Sequence, residues 1–281
     1  MVARRHKIEL SDNGQIIDNV EIGWMTNRGR RRDHNEDNLY VFNASDTDYE
    51  GRGMLLAVAD GMGGHAGGEY ASRIAVEKLG EFYVMENGAT DAAAQVTQDK
   101  LRACIEEAHK TIFSQAQNSA ILKGMGTTLT AALIDKTTLN VGQVGDSRAY
   151  LIRNGTIKQL TNDHSLVAEQ IRMGLITPDE AAHHPARNII TRALGTKEKV
   201  EPDFYTFPLE PDDRILMCSD GLHGVVEDAR TLELTLASPS AAAACIRLVE
   251  EANANGGPDN ITVVIIHIKP IKPFWRRLLR I

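Results

Sequence analysis

The chain has 281 residues, of which 42% are hydrophobic and 25% charged, a balance that excludes a mainly disordered or fibrous protein. Its formal net charge of −7 argues against broad nucleic-acid binding, and its three widely spaced cysteines form neither a disulfide framework nor a zinc-type pair. Because no apolar run is long enough to span a bilayer and the basic start lacks an apolar signal region, we expect a cytoplasmic protein.

The first half of the chain predicts a lead-in, one strand and two helices. Residues 1–21 are polar without a clear period, which indicates a loosely held N-terminal lead-in. The continuous apolar run 54–59 ends in Asp60-Gly61 and predicts a buried strand with an acidic residue at its end. Apolar residues then recur at helical spacing over 67–85 and 92–116, which predicts two helices.

The second half is dominated by short strands. Residues 127–160 contain four β-rich runs, and an Asn-Gly pair separates the last two, which predicts an antiparallel meander. Residues 163–200 are polar and helix-prone, so we expect an excursion from the sheets. Residues 214–218 and 260–268 predict two further strands, with a helix at 241–252 between them. Grouped hairpins and grouped helices indicate an α+β layered fold.

Five short acidic motifs lie in turns or at the ends of apolar runs. Each alone is weak, because Asp-Gly is common at turns for conformational reasons. Their repetition is informative, since strand ends commonly gather at one edge of a sheet, where crowded carboxylates repel one another unless cations neutralise them. The motifs are Asn35-Glu36-Asp37, Asp60-Gly61, Gly145-Asp146-Ser147-Arg148, Ser219-Asp220-Gly221 and Gly257-Pro258-Asp259-Asn260.

The ligand chemistry of these motifs favours Mg²⁺ or Mn²⁺ over zinc, because the donors are oxygens without histidine or cysteine. Two such ions about 3.5–4 Å apart activate a shared water and clamp the oxygens of an in-line displacement. That chemistry is hydrolysis at phosphorus. The glycine after Asp60 lets the backbone approach closely, so the Gly61 carbonyl can serve as a further ligand. Both Mg²⁺ and Mn²⁺ accept these ligands, and the sequence leaves that choice open.

Together these motifs, with Arg32-Asp-His-Asn-Glu-Asp37 and Asp60-Gly-Met-Gly-Gly-His65 in full, resemble the metal-dependent type 2C (PPM family) protein phosphatases of bacteria. The resemblance implies an α-β-β-α sandwich, in which two antiparallel sheets are flanked by helices and metals lie in a cleft at one end. It assigns residues 22–269 to a catalytic domain that hydrolyses phosphoserine and phosphothreonine in proteins. Residues 163–200 match the family's flap, which we expect to govern which phosphopeptides fit.

The resemblance also implies the metal ligands. Asp60 would bridge two ions, and Asp220 and Asp259 would complete the site of the first. A third, looser ion would use Asp146 with Asp220, although a hairpin-turn aspartate is the alternative interpretation of Asp146. The ligands of the second ion, direct or through water, would be the Gly61 carbonyl, Glu36 and Asp37.

Two further residues match catalytic positions of the family. Arg32 corresponds to the phosphate-binding arginine, and a planar guanidinium can grip two phosphate oxygens at once. The neighbouring arginines of the run 28–32 could steer anionic substrate or form a solvated basic face. His65 could protonate the leaving alkoxide or contact substrate, and otherwise it merely lines the loop.

The expected partners are phosphoprotein substrates and a cognate serine/threonine kinase whose action the enzyme reverses, with no nucleic acid, and we expect a monomer. One rival interpretation is a nucleotide-binding protein, suggested by the glycine-rich segment 60–68, but that segment lacks the Gly-Lys-Ser/Thr of a P-loop. A second rival is a catalytically silent scaffold, which the intact acidic positions disfavour.

The tail 270–281 lies beyond the last predicted strand and mixes bulky apolar with basic residues. It could lie on an anionic membrane surface with Phe274 and Trp275 inserted. We favour the alternative that it folds back onto the sandwich as a short helix, because roughly ten residues give only marginal membrane affinity.

Overall fold

The computed structural model describes residues 8–11, 13–17, 19–42, 53–63, 66–87, 98–135 and 137–270. Two antiparallel sheets pack face to face, and helices cover their outer faces. The described part of the chain is therefore an α-β-β-α sandwich, which confirms the predicted α+β fold class. Among the described residues, no helix combines the length and apolar character needed to cross a membrane.

The first sheet has seven strands in the order β1-β2-β3-β13-β12-β9-β10. On its outer face α7 packs against β3 and β13, and α5 and α6 pack beside α7. The strands are β1 Ile8–Ser11, β2 Gly14–Ile17, β3 Val20–Asn27, β9 Arg148–Arg153, β10 Thr156–Gln159, β12 Arg214–Cys218 and β13 Ile261–Ile268. The helices are α5 Asp220–His223, α6 Asp228–Leu236 and α7 Ala241–Ala254.

The second sheet has six strands, of which five follow the order β11-β8-β7-β5-β4 while β6 pairs with the end of β5. Helices α1 and α2 cover its outer face, as the helical spacing predicts. The strands are β4 Asp37–Val41, β5 Met54–Met62, β6 Gly126–Thr127, β7 Leu129–Asp135, β8 Thr138–Val144 and β11 Asp203–Pro208. The helices are α1 Ala66–Asn87 and α2 Gln98–Asn118.

Strand β13 shows how the sequence fills both sides of a sheet. Its residues are mostly β-branched, and successive side chains point to opposite faces. Val264 and Ile266 belong to the cluster between the two sheets, whereas Val263 and Ile265 belong to the cluster beneath α5–α7. A continuous apolar run is the pattern of a strand buried on both faces, and here it fixes β13 at the centre of the first sheet.

The N-terminal lead-in is a correction. We predict a loosely held segment over 1–21, whereas its described residues include β1 and β2, a hairpin that pairs with β3 at the edge of the first sheet. Residues 1–7, 12 and 18 of the lead-in lie outside the described residues. Ile17 is buried, and the Gln15 side chain donates to the Phe42 carbonyl at 2.6 Å. Main-chain ladder bonds and a buried polar side chain hold this hairpin, and neither produces a hydrophobic period in so short a segment.

The predicted meander is also corrected. Its strands do form antiparallel hairpins, but β7 and β8 belong to the second sheet and β9 and β10 to the first. The chain crosses between the sheets at Gly145, whose φ of 102° is a backbone conformation that favours glycine. The alternation of side chains along a hairpin is the same whichever sheet the hairpin belongs to, so the sequence pattern could not reveal that the chain crosses between the sheets.

Residues 163–200, for which we keep the name flap, lie outside both sheets and contain α3 Leu166–Arg172 and α4 Pro178–Ala182. Ser165 caps α3, and a capping box of Thr177 and Glu180 starts α4. An isolated bridge joins Ser165 to Ile190, near the two ends of the flap. The tail 271–281 lies outside the described residues.

Candidate active site

Strand ends bring acidic side chains to one solvent-open cleft. Asp60 lies near the end of β5, Asp220 begins α5 directly after β12, and Asp259 shortly precedes β13. Together with Glu36 and Gly61 they line this cleft. The structure thus brings five of the predicted metal ligands together.

Asp37 lies directly opposite Asp60 in the antiparallel pair of β4 and β5. Its carboxylate is buried, and Oδ2 accepts a 2.8 Å hydrogen bond from the Ser219 hydroxyl. That hydroxyl in turn accepts from the Thr262 amide at 3.0 Å, so Asp37 is tied to the strand end that precedes Asp220. Burial raises the pKa of Asp37 to about 7, although hydrogen bonds from Thr262 and Ser219 oppose the shift.

Asp146 lies in the turn between β8 and β9 and is buried beside Asp220. Burial, followed by repulsion from Asp220, raises the pKa of Asp146 to about 8. The Asp146 carbonyl is bonded to His223 Nε2 at 3.0 Å, which joins the turn to α5. Burial and repulsion from Asp259 likewise raise the pKa of Asp220, to about 6.

Asp60 is the electrostatic centre of the group. Its amide donates to the Thr128 hydroxyl at 2.9 Å, and its carbonyl accepts from the Thr128 amide at 2.9 Å and the Thr127 hydroxyl at 2.8 Å. These bonds fix its backbone and leave its carboxylate facing the other acids. Burial raises the pKa of Asp60 well above its ordinary value. Repulsion from four other carboxylates adds to this shift, those of Asp37, Asp220, Asp146 and Asp259.

The donor set fits hard divalent cations. Asp37, Asp146 and Asp220 each have one buried carboxylate oxygen, Oδ1, without a hydrogen-bond partner among the described residues. A buried carboxylate oxygen is costly unless a donor or a cation satisfies it, and oxygen donors of this kind suit Mg²⁺ and Mn²⁺. In the present side-chain conformations, however, the described part of the chain contains no three such groups arranged to hold one ion.

Two glycines allow Glu36 to reach the cleft. A Cβ atom on Gly61 would overlap with the Gly68 carbonyl, and a Cβ atom on Gly68 would overlap with the Glu36 carboxylate. Gly61 also donates its amide to the Glu36 carbonyl at 3.2 Å. The close backbone approach that the sequence predicts after Asp60 is therefore present, and it packs Glu36 against the start of α1.

Arg32 lies at the rim of the cleft, with about half of its side chain exposed. Its Nη2 donates to Asp259 Oδ2 at 2.6 Å, and this hydrogen bond is the main cause of the raised pKa of Arg32. Arg28, Arg30 and Arg31 are exposed on the same loop. The predicted phosphate-binding arginine thus adjoins the acidic cluster. His65, the other predicted catalytic residue, lies outside the described residues.

Asn260 is a site residue that the sequence motif contains but to which we assign no role. Its side chain is buried: Oδ1 accepts from the Glu36 amide at 2.8 Å, and Nδ2 donates to the carbonyls of Arg28 and His34, both at 2.9 Å. It therefore holds the loop of Arg32 and Glu36 against the turn that carries Asp259. An Asn after Asp is common in turns, so the sequence signal for this role was weak.

Comparison with known proteins identifies the family. The family model for protein phosphatase 2C matches residues 27–255. The serine/threonine phosphatase stp of Listeria welshimeri is 42% identical over 243 residues, which cover 86% of this chain and 94% of that protein. The crystal structure of Mycobacterium tuberculosis PstP/Ppp covers 89% of this chain and 99% of its own, with 38% identity and a TM-score of 0.78.

A second solved structure holds metal. The catalytic domain of the serine/threonine protein phosphatase PstP in complex with two manganese ions is 36% identical to this chain, with a TM-score of 0.77, and covers 89% of this chain and 99% of its own. The matched family region includes the cleft residues from Arg32 to Asp220, and both solved structures share the fold over most of the chain. The chain belongs to the protein phosphatase 2C family.

Proposed function

We propose that this protein hydrolyses phosphoserine and phosphothreonine in proteins by attack of a metal-activated water on phosphorus. The observation that carries the proposal is the buried cluster around Asp60, whose carboxylates repel one another and present three unpartnered oxygens beside a rim guanidinium. Such a cluster is stable at neutral pH when cations neutralise it. When bound, two divalent ions, Mn²⁺ or Mg²⁺, would lower the pKa of water and neutralise the phosphoryl group.

The proposed ligand roles follow the family pattern. Asp60 would bridge both ions, Asp220 and Asp259 would complete the site of the first, and Asp146 with Asp220 would hold a third, weaker ion. The pairing of Asp37 with Asp60 across β4 and β5 supports a shared site for these two residues. The second ion would be served, directly or through water, by Glu36, Asp37 and the Gly61 carbonyl.

The proposed role of Arg32 is to bind the phosphoryl group from the rim. Its exposed guanidinium can donate two parallel hydrogen bonds to phosphate oxygens. The water oxygen forms a new bond to phosphorus, the ester P–O bond breaks, and the serine or threonine oxygen leaves and takes up a proton. His65 is the proposed donor of that proton. Asn188 and Ile190 of the flap line the same cleft as Arg32 and offer a surface on which the peptide can lie.

In the cell we propose a monomer in the cytoplasm that reverses the action of a serine/threonine kinase. Hydrolysis of p-nitrophenyl phosphate and of a phosphothreonine peptide, each with Mn²⁺ and with EDTA, tests the chemistry. Turnover of both substrates with Mn²⁺ and loss of turnover with EDTA is the expected result. A protein that is silent in both conditions, although folded, would favour the scaffold interpretation.

A further inference from the structure

His164 lies at the first end of the flap, and its imidazole is 2% exposed. It takes no part in the chemistry proposed above, yet it bonds to three separate segments. These are the turn that carries Asp146, the start of β11, and the returning end of the flap at Thr191. The ring bonds to the first two segments and the main-chain carbonyl to the third, so this buried residue fixes their relative positions.

The hydrogen bonds determine the tautomer of this histidine. The Gly145 amide donates to Nδ1 at 3.1 Å, so Nδ1 is an acceptor and the ring proton is on Nε2. Nε2 then donates to Asp203 Oδ2 at 3.1 Å. Arg192 donates to the other Asp203 oxygen at 3.0 Å and lies 3.4 Å from Nε2. Burial and the nearby arginine lower the pKa of His164, which keeps the ring neutral.

The main chain of His164 also bonds to the turn that carries Asp146 and to the returning end of the flap. Its amide donates to the Gly145 carbonyl at 2.9 Å, and its carbonyl accepts from the Thr191 amide at 2.8 Å. Gly145 also lies close to Thr128, because a Cβ atom on Gly145 would be 2.5 Å from the Thr128 side chain. The turn therefore adjoins both Thr128 and His164, and Asp146 follows directly after Gly145.

We propose that His164 is a positioning residue that sets the place of the Asp146 carboxylate through Nδ1 and, through Nε2, the place of Asp203, which binds Arg192 of the flap. This inference rests on the proposed function, because the same cleft is involved. Its first consequence is that losing the Nδ1 acceptor weakens the contribution of Asp146 to metal binding. Its second is that losing the Nε2 donor loosens the flap and weakens binding of phosphopeptides, while small substrates are unaffected.

Two substitutions separate the bonds. His164→Asn keeps an amide oxygen near the place of Nδ1 and loses the reach to Asp203, whereas His164→Gln keeps a donor near the place of Nε2 and loses the Gly145 acceptor. Asp203→Ala removes the Nε2 partner from the other side together with the ion pair to Arg192, so its effect on peptide binding is expected to be at least that of the Asn variant. Because Asp203 is partly exposed, this third variant tests the proposal even if one histidine variant fails to fold.

The measurements include one without metal or turnover. In the metal-free protein, hydrogen exchange of the Gly145 amide, followed by NMR, should be about five- to tenfold faster in His164→Gln, the effect of one lost hydrogen bond. In His164→Asn it should stay close to that of wild type. Calorimetric Mn²⁺ titration should show weaker binding of the loosest ion in the Gln variant, without a change in the Asn variant.

Steady-state kinetics test the role of the Nε2 bond. His164→Asn and Asp203→Ala should raise KM for a phosphothreonine peptide about five- to tenfold, the effect of one lost charge-assisted bond, and leave KM for p-nitrophenyl phosphate unchanged. Equal effects of all three variants on Gly145 exchange and on KM for the phosphothreonine peptide would show that His164 is only a packed core residue and would overturn the proposal. Because Gly145 exchange is measured without substrate, that failure is distinguishable from a failure of the proposed phosphatase function.

Discussion

Asp259 is paired with Arg32 and is also a proposed ligand of a divalent ion. Its Oδ2 accepts from Arg32 at 2.6 Å, and its Oδ1 accepts from the Asn260 amide at 2.8 Å. A divalent ion carries twice the charge of a guanidinium, and Mg²⁺ binds an oxygen ligand at about 2.0–2.1 Å, so an ion would compete with the Arg32 bond. With an ion bound at Asp259, the pair would be weaker and Arg32 would be available to bind phosphate.

At the residue scale, the first prediction concerns Asp60→Asn. Activity should fall by orders of magnitude at saturating Mn²⁺, because the proposed bridging ligand contributes several kcal/mol of transition-state stabilisation. The metal-free variant should melt no lower than wild type, since the substitution removes a buried carboxylate that four other acids repel. Asp212→Asn, at an exposed turn, is the matched control and should retain activity. More than about a tenth of wild-type kcat in Asp60→Asn would contradict the two-metal assignment.

The second prediction concerns Arg32→Ala. We expect kcat/KM on a phosphopeptide to fall by about ten- to a hundredfold, which corresponds to roughly 1.5–3 kcal/mol for a lost charge-assisted contact. Mn²⁺ affinity should not decrease, because Arg32 competes for Asp259. Arg31→Ala, which removes an exposed guanidinium from the same loop, should change kcat/KM by less than about threefold. An unchanged kcat/KM in Arg32→Ala would place Arg32 in a solvated basic face.

At the scale of elements, the sequence predicts well which strands have acidic residues at their ends. It predicts poorly which residues those ends contact. The apolar runs that end at Asp60 and begin after Asp259 became β5 and β13, because a continuous apolar run bounded by a turn has few alternatives. The position of Asn260 between Glu36 and Arg28 depends on contacts across more than 200 residues, which no local pattern contains. The sequence also does not predict the edge hairpin of β1 and β2, because main-chain hydrogen bonds between the strands hold it and these leave no local sequence pattern.

The third prediction concerns the crossing between the sheets, at Gly145→Ala. We expect a loss of about 2–4 kcal/mol in the free energy of unfolding, because the new methyl group meets the Thr128 side chain at 2.5 Å and the backbone has φ of 102°. Gly155→Ala is the matched control: its φ is 73°, and its Cβ atom would have no described neighbour within 4 Å. Backbone strain alone should cost that variant about 1 kcal/mol. Equal losses in denaturant unfolding would mean that the contact with Thr128 relaxes freely.

At the scale of the whole molecule, the acidic cluster joins the two sheets. Asp37 and Asp60 belong to strands of the second sheet, while Asp220 and Asp259 adjoin strands of the first. Repulsion among these groups acts across the interface between the sheets, and cations bound there would replace it with attraction. Metal binding should therefore change the stability of the whole domain in addition to its activity.

The last prediction follows from the direction of the pKa shifts. Folding raises the pKa of Asp220 to about 6, of Asp37 to about 7 and of Asp146 to about 8, from ordinary values near 4. Between about pH 5.5 and 8.5 the metal-free folded protein therefore holds more protons than the unfolded chain. Stability must then fall as pH rises through this window, because the proton-rich state is the folded one.

Thermal melts in EDTA and in excess Mn²⁺ measure this effect. Without metal, the melting temperature should drop by roughly 5 °C or more from pH 5.5 to 8.5, at about 2 °C for each kcal/mol in a chain of this size. With Mn²⁺ the drop should disappear, since the bound ions keep the carboxylates ionised and stabilise the fold by mass action. Asp146→Asn, which removes the group with the highest of the three pKa values, should flatten the metal-free curve at its alkaline end. A metal-free melting temperature that rises or stays constant over the same range would show that the carboxylates are not held together by the fold as described.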